Sequence, residues 1–210
     1  DRGPRSTTKS TGGSLVVVDV TARPCCAAPC DLRQPMVMTG PPHLLMLLRH
    51  AIAEDAGATR QDEERRLTGE GKRKMREVVA GMRALELPVD VVLSSPLRRA
   101  VETAEIIADG YGSSEDVEVT PALAPGAGPD AVLAALGAIG RPSGVVLVGH
   151  EPDLAALAST LLTGTPGLVH MPFRKAGLAG IVVASLPPRS AGSLEFFLTP
   201  SHLRRIGRAS

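Results

Sequence analysis

Three short runs of purely apolar residues constrain the fold of this chain more than any other feature. They are residues 44–48 (Leu44-Leu45-Met46-Leu47-Leu48), 91–93 (Val91-Val92-Leu93) and 145–148 (Val145-Val146-Leu147-Val148). A strand with one face in water alternates polar and apolar side chains, whereas a strand covered on both faces needs no polar position. Such runs predict a parallel sheet held between helices. The intervening segments supply the helices. From Thr68, a candidate N-cap, to about Glu86, Met75, Val78, Val79, Met82 and Leu85 fall on one helical face. Ser94-Ser95-Pro96 reads as the start of a second helix, with a serine cap and proline in the first turn. Leu97, Ala100, Val101, Ala104 and Ile107 form its apolar face. A third helix is predicted over residues 131–139 with Asp130 as its cap, and a fourth over 152–162. A short strand is expected near 117–119. Two late strands, 179–186 and 194–198, flank a turn and suggest an antiparallel edge. This order of elements predicts an α/β fold, a three-layer α/β/α sandwich with a mostly parallel sheet.

A length of 210 residues allows one good-sized domain or two small ones. Residues 1–40, rich in Gly, Pro, Ser and Thr, are expected to form a flexible N-terminal arm. Residues 41–203 would form the folded domain, and 204–210, with Arg204, Arg205 and Arg208, a basic solvated tail. Lys+Arg 23 against Asp+Glu 22 leaves a formal charge of +1, which argues against binding nucleic acid or a membrane surface through bulk charge. Trp is absent and the aromatic residues are Tyr111, Phe173, Phe196 and Phe197, too few for base-stacking platforms. Cys25, Cys26 and Cys30 cluster in the arm, but no further Cys or His follows before His43, so they read as incidental thiols rather than a metal site. No apolar run has the length of a membrane span, and the expectation is a soluble, cytoplasmic protein. The richness in Gly and Ala fits a GC-biased coding sequence and a bacterial source.

Ligands of open α/β sheets bind beyond the carboxyl ends of the strands. The first run ends in Arg49-His50, the second leads into Arg98-Arg99 at a helix start, and the third ends in Gly149-His150-Glu151-Pro152. One histidine at a strand end is ordinarily structural, and one arginine at a helix start is ordinarily solvated. A parallel sheet, however, brings these separate ends to one edge. There they would form a locally basic rim with helix N-termini beside it, suited to a phosphoryl group.

These residues also carry a resemblance. Arg49-His50-Ala51 after an apolar strand resembles the R-H-G signature of the histidine phosphatase superfamily, with its phosphoglycerate-mutase-like fold. Leu67-Thr68-Gly69-Glu70-Gly71 is similar to that family's L-T-x-x-G segment. Residues 94–104, from Ser94-Ser95-Pro96 to Thr103-Ala104, resemble its S-S-x-x-x-R-A-x-x-T-A segment. Val148-Gly149-His150-Glu151-Pro152 is similar to the V-G-H segment in the form found in short phosphohistidine phosphatases of the SixA type. The four motifs stand in family order within residues 44–200.

The resemblance implies a phosphatase in which His50 is the nucleophile and is transiently phosphorylated. Arg49, Arg99 and His150 would hold the phosphoryl oxygens, and no metal or other cofactor would be needed. Arg98 projects about 100° away from Arg99 around a helix and is not expected in the pocket. Two departures stand out. Ala51 replaces the usual glycine, and the stretch from Thr103 to His150 is too short for the large helical insertion that carries the acidic proton donor in mutases. Glu151 and Asp130 are candidate donors, with Glu54 and Asp55 as further loop acids. A site lacking a strong acid suits phosphohistidine, whose protonated imidazole leaves readily, better than an alkyl phosphate. The expected partner is a phosphorylated protein or a small phosphorylated substrate. A broad small-molecule phosphomonoesterase and a non-catalytic phosphate-recognition module remain as alternatives. A metal-dependent hydrolase would need more than His50 and His150, and the chain has no H-x-x-x-H motif.

Overall fold

The computed structural model describes residues 42–55, 62–112 and 117–209. The proposed arm and its cysteines lie outside the described residues. The first apolar run forms β1 (His43–Arg49), and its side chains divide between two cores. Met46 and Leu48 pack with Met75, Val78, Met82, Ala104 and Ile107 on one side. Leu45 and Leu47 pack with Leu136, Leu154, Leu157 and Leu161 on the other. That division explains the absence of any polar position in the run. A strand with a core on each face gains from an apolar side chain at every residue.

The remaining strands are β2 (Val91–Ser94), β3 (Val117–Val119), β4 (Gly144–Gly149), β5 (Leu178–Val183) and β6 (Ser193–Leu198). They form one six-stranded sheet in the order β3-β2-β4-β1-β5-β6. β1, β2, β3 and β4 run parallel, while β5 and β6 add the expected antiparallel edge. The register fixes the site. Arg49 lies opposite Gly149, and Ser94 lies opposite Val148, so the three motif-bearing strand ends are immediate neighbours.

Helices α1 (Gly69–Ala84), α2 (Arg98–Tyr111), α3 (Pro129–Leu136), α4 (Asp153–Thr163) and α5 (Pro200–Ala209) complete the layers. Thr68 caps α1 as expected, its hydroxyl accepting from Gly71 N at 2.9 Å. Gly71 is required there: a Cβ would stand 2.1 Å from the Ile52 carbonyl oxygen, so only glycine lets α1 approach the loop after His50. Three expectations need correction. Helix α2 begins at Arg98 with Leu97 as N-cap and no side-chain cap, because the two serines lie upstream of the cap position, where the Ser95 hydroxyl meets Leu97 N and His150. Asp130 is not a cap. Gly128 takes that position, with a φ of 80°, and Pro129 opens α3. Residues 204–209, expected as a basic solvated tail, continue α5, with Arg205 and Arg208 exposed. Leu203 buries completely against α1, and Gly81 allows that approach, since a Cβ there would lie 2.0 Å from the Leu203 carbonyl. Among the described residues, no helix is long and apolar enough to cross a membrane.

Candidate active site

His50 follows β1 directly and is 6% exposed. Its backbone N donates to the Gly149 carbonyl at 3.1 Å, and its Nδ1 lies 2.8 Å from the Ala51 carbonyl oxygen. A carbonyl only accepts, so Nδ1 carries the ring proton and Nε2 keeps its lone pair. The loop beyond it is pinned to α2. Ala51 N donates to Thr103 Oγ1 at 3.1 Å, and that hydroxyl donates to the Arg99 carbonyl at 2.6 Å. The His150 ring stands 5.1 Å from that of His50, centroid to centroid, tilted by 49°. His150 Nε2 is 2.7 Å from Ser95 Oγ.

The two arginines are anchored in ways the sequence did not disclose. Arg49 donates through one terminal nitrogen to the Phe173 carbonyl at 2.7 Å. Phe173 N in turn donates to Glu151 Oε1. Arg99 is buried and donates to Asp62 twice, to its backbone oxygen at 2.7 Å and to its carboxylate at 2.9 Å. Arg98 behaves as its helical phase requires: it is exposed and pairs with Glu102 at 3.1 Å. Glu102, itself buried, also accepts from Leu67 N at 2.9 Å and pairs with Lys72, which ties the Leu67-Thr68 segment to α2.

After these contacts, four buried side-chain polar atoms among the described residues have no hydrogen-bond partner. They are Arg49 Nε, Arg99 Nε, His150 Nδ1 and the Tyr111 hydroxyl. Three of the four belong to residues expected to hold a phosphoryl group. Buried polar atoms without partners are rare in folded proteins, and the residues that carry three of these four all act electrostatically on His50. The candidate proton donors fare differently. Glu151 is engaged by Phe173 N, Asp130 is exposed in the first turn of α3, Glu54 accepts from Arg66 N at 3.3 Å, and Asp55 is exposed. Asp62, which no local pattern singles out, is ionised: hydrogen bonds from Arg65 and Arg99 hold its carboxyl below the usual carboxylate range. The described residues contain no group of three or more His, Cys, Asp or Glu that could hold a metal ion.

Residues 45–125 match the profile of the histidine phosphatase superfamily, branch 1. An uncharacterized protein of Picosynechococcus sp. is 33% identical over 159 residues, covering 75% of this chain and 95% of its own. The chain belongs to the histidine phosphatase superfamily. Among solved structures, this histidine phosphatase superfamily member is similar to the protein histidine phosphatase SixA complexed with tungstate, with a TM-score of 0.66 and 25% identity. That match covers 76% of this chain and 99% of the other. It is also similar to the putative phosphohistidine phosphatase SixA from Agrobacterium tumefaciens, with a TM-score of 0.61 and 26% identity, over 77% of this chain and 100% of that one.

Burial sets the protonation of the two histidines in this superfamily member. It lowers the pKa of His50 to about 3 despite the opposing hydrogen bond to Ala51, with His150, Arg99 and Arg49 adding repulsion. It lowers His150 to about 4, with Arg99 the next cause. Both rings are neutral at pH 7. The linkage to stability follows from the sign of the shift. As pH falls below about 6.5 the unfolded chain protonates these histidines while the folded one does not, so the unfolded state binds more protons and stability drops. Each histidine contributes up to about 1.4 kcal/mol per pH unit, from about 6.5 down to its folded value. The melting temperature is therefore expected to fall more steeply from pH 6.5 to pH 5 in the wild type than in His50→Asn or His150→Asn. Parallel curves would contradict this account.

Proposed function

We propose that this protein is a metal-independent phosphohistidine phosphatase that works through a covalent phosphohistidine on His50. The observation that supports the reading best is the set of buried, unpartnered donors on Arg49, Arg99 and His150 around a histidine that keeps a free lone pair. The Nε2 atom of His50 attacks phosphorus in line, and the bond from phosphorus to the substrate nitrogen breaks. The electron pair stays with the departing imidazole, whose other ring nitrogen already carries a proton. Arg49, Arg99 and His150 hold the three phosphoryl oxygens and stabilise the charge that develops on them. Water then attacks the phosphorus of phospho-His50, releasing inorganic phosphate and restoring the nucleophile.

The carboxylates near the site bear on the substrate. An alkyl phosphate expels an alkoxide and calls for a strong, well-placed acid. Here Asp62 is ionised and clasped by two arginines, and Glu151 is bound to backbone. The segment Leu123-Ala124-Pro125-Gly126-Ala127-Gly128 contains no carboxyl group. Imidazole leaves without such help, so a phosphorylated histidine on another protein is the substrate this chemistry favours. A substrate panel tests the choice. Turnover of a phosphohistidine protein is expected to exceed that of sugar phosphates and other alkyl esters by about 10²-fold or more, the contribution of a general acid that the site lacks. Faster hydrolysis of an alkyl phosphate would assign the site to small-molecule phosphomonoesters instead.

A further inference from the structure

His50 and His150 are neutral neighbours, yet the proposed chemistry asks opposite things of them. One must present a lone pair and the other an N–H. A neutral imidazole offers one of each, and the partner of its far nitrogen decides which nitrogen holds the proton. For His50 that partner is the Ala51 carbonyl, an obligatory acceptor. For His150 it is a hydroxyl, which could act either way, so the surroundings of that hydroxyl decide.

Ser95 is completely buried at the end of β2. Its backbone N donates to the Val148 carbonyl at 3.0 Å, which locks the residue to β4 just before His150. Ser94 Oγ donates to the Ser95 carbonyl at 3.0 Å and holds the next peptide, so the backbone is fixed on both sides of the Ser95 Cα. The Ser95 hydroxyl oxygen receives the Leu97 N–H at 3.4 Å, so one lone pair faces a donor. Its own proton has His150 Nε2, at 2.7 Å, as acceptor. If the ring proton sat on Nε2 instead, the hydroxyl would face two donors and have nowhere buried to send its hydrogen. Nδ1, without any protein partner, would then turn a lone pair toward an anionic oxygen.

We propose that Ser95 is a positioning residue that selects the tautomer of His150. It donates its hydroxyl proton to Nε2, so the ring proton resides on Nδ1 and a neutral imidazole can donate to the phosphoryl group. The donor role of His150 rests on the proposed function; the tautomer does not. Both rings then carry their proton on Nδ1. They differ in which end meets the pocket: His50 shows it the bare nitrogen, and His150 shows it the N–H. A neutral His150 thereby serves as a donor, with no proton taken up from solvent before substrate binds.

Long-range 1H–15N correlation spectra of the 15N-histidine-labelled protein at pH 7 test this directly, with His150→Asn identifying the His150 signals. The expected result is a protonated Nδ1 and an unprotonated Nε2 in the resting wild type; a protonated Nε2 there would overturn the proposal. In Ser95→Ala the spectrum is expected to shift toward the Nε2-protonated form, with kcat about tenfold lower or more. Ser95→Thr, which keeps the hydroxyl, is expected to restore both the tautomer and most of the rate. An unchanged spectrum and an unchanged kcat in a folded Ser95→Ala protein would also overturn it. If the wild type shows the Nδ1 tautomer but hydrolyses no phosphate, the proposed function fails and the assignment of Ser95 stands.

Discussion

Replacing His50 by alanine is expected to lower turnover of a phosphohistidine protein by about 10⁴-fold or more while leaving the fold intact. No other group can take over. His150 lies 5.1 Å away, but its Nε2 is bound to Ser95 and its other nitrogen is a donor in the arrangement proposed above. The proposed phosphate clamp, by contrast, is expected to survive the substitution, since Arg49, Arg99 and His150 are anchored to Phe173, Asp62 and Ser95 rather than to His50. Affinity for inorganic phosphate, which binds without a covalent bond, is expected to change much less than kcat. The measurement is kcat beside the inhibition constant for inorganic phosphate in both proteins. Equal losses in the two would mean that His50 supports the pocket instead of reacting in it.

The second large effect concerns Arg99 and its unexpected partner. Arg99→Ala is expected to reduce kcat/KM by about 10²–10³-fold, the usual cost of deleting one charge-bearing donor at the transition state. Asp62 occupies the terminal edge of the guanidinium with two acceptors, and Nε remains without a partner. Asp62 is therefore expected to act by orienting Arg99. Asp62→Ala is expected to lower kcat/KM about tenfold in the wild-type background and to have almost no effect in Arg99→Ala, a coupling that a double-mutant cycle reads directly. The Asp62 carboxylate is largely exposed, at 56%, so this pair is expected to matter far more for the geometry of Arg99 than for stability. Arg98→Ala serves as the control. It breaks an ion pair with Glu102 and leaves the phosphate contacts alone, so its effect on kcat/KM should stay within about twofold. Losses of equal size from Arg98 and Arg99 would contradict the assignment.

The parts of the fold most legible in the sequence were those where one physical cause dominates. Residues 44–48 and 145–148 sit between two cores, so burial wrote an unbroken apolar string that could mean little else. The strand ends were legible for a related reason: a parallel sheet puts them side by side, and the register places Arg49 opposite Gly149. Where two causes compete, the sequence misled. Ser95 looks like a helix cap, but α2 starts at Arg98, and the Ser95 hydroxyl instead bridges Leu97 N and a buried imidazole 2.7 Å away. Residues 204–209 were read as a solvated end because of their arginines, although Leu203 and Ile206 stand three residues apart and mark the apolar stripe of α5. Asp62 left no signal at all. It lies in the charged run Asp62-Glu63-Glu64-Arg65-Arg66, which reads as surface, and its partner is 37 residues away. Long-range polar contacts of this kind depend on tertiary geometry that no local pattern encodes.

The central claim is that the free Nε2 of His50 takes the phosphoryl group covalently. Rapid mixing with a phosphohistidine protein, followed by an alkaline quench and site mapping, tests it most directly. The predicted result is a base-stable, acid-labile phosphate on His50, bonded through Nε2 because Nδ1 is held by the Ala51 carbonyl, and formed no more slowly than turnover requires. Phosphate bonded through Nδ1, phosphate on another residue, or turnover with no phosphoenzyme at any time point would contradict it.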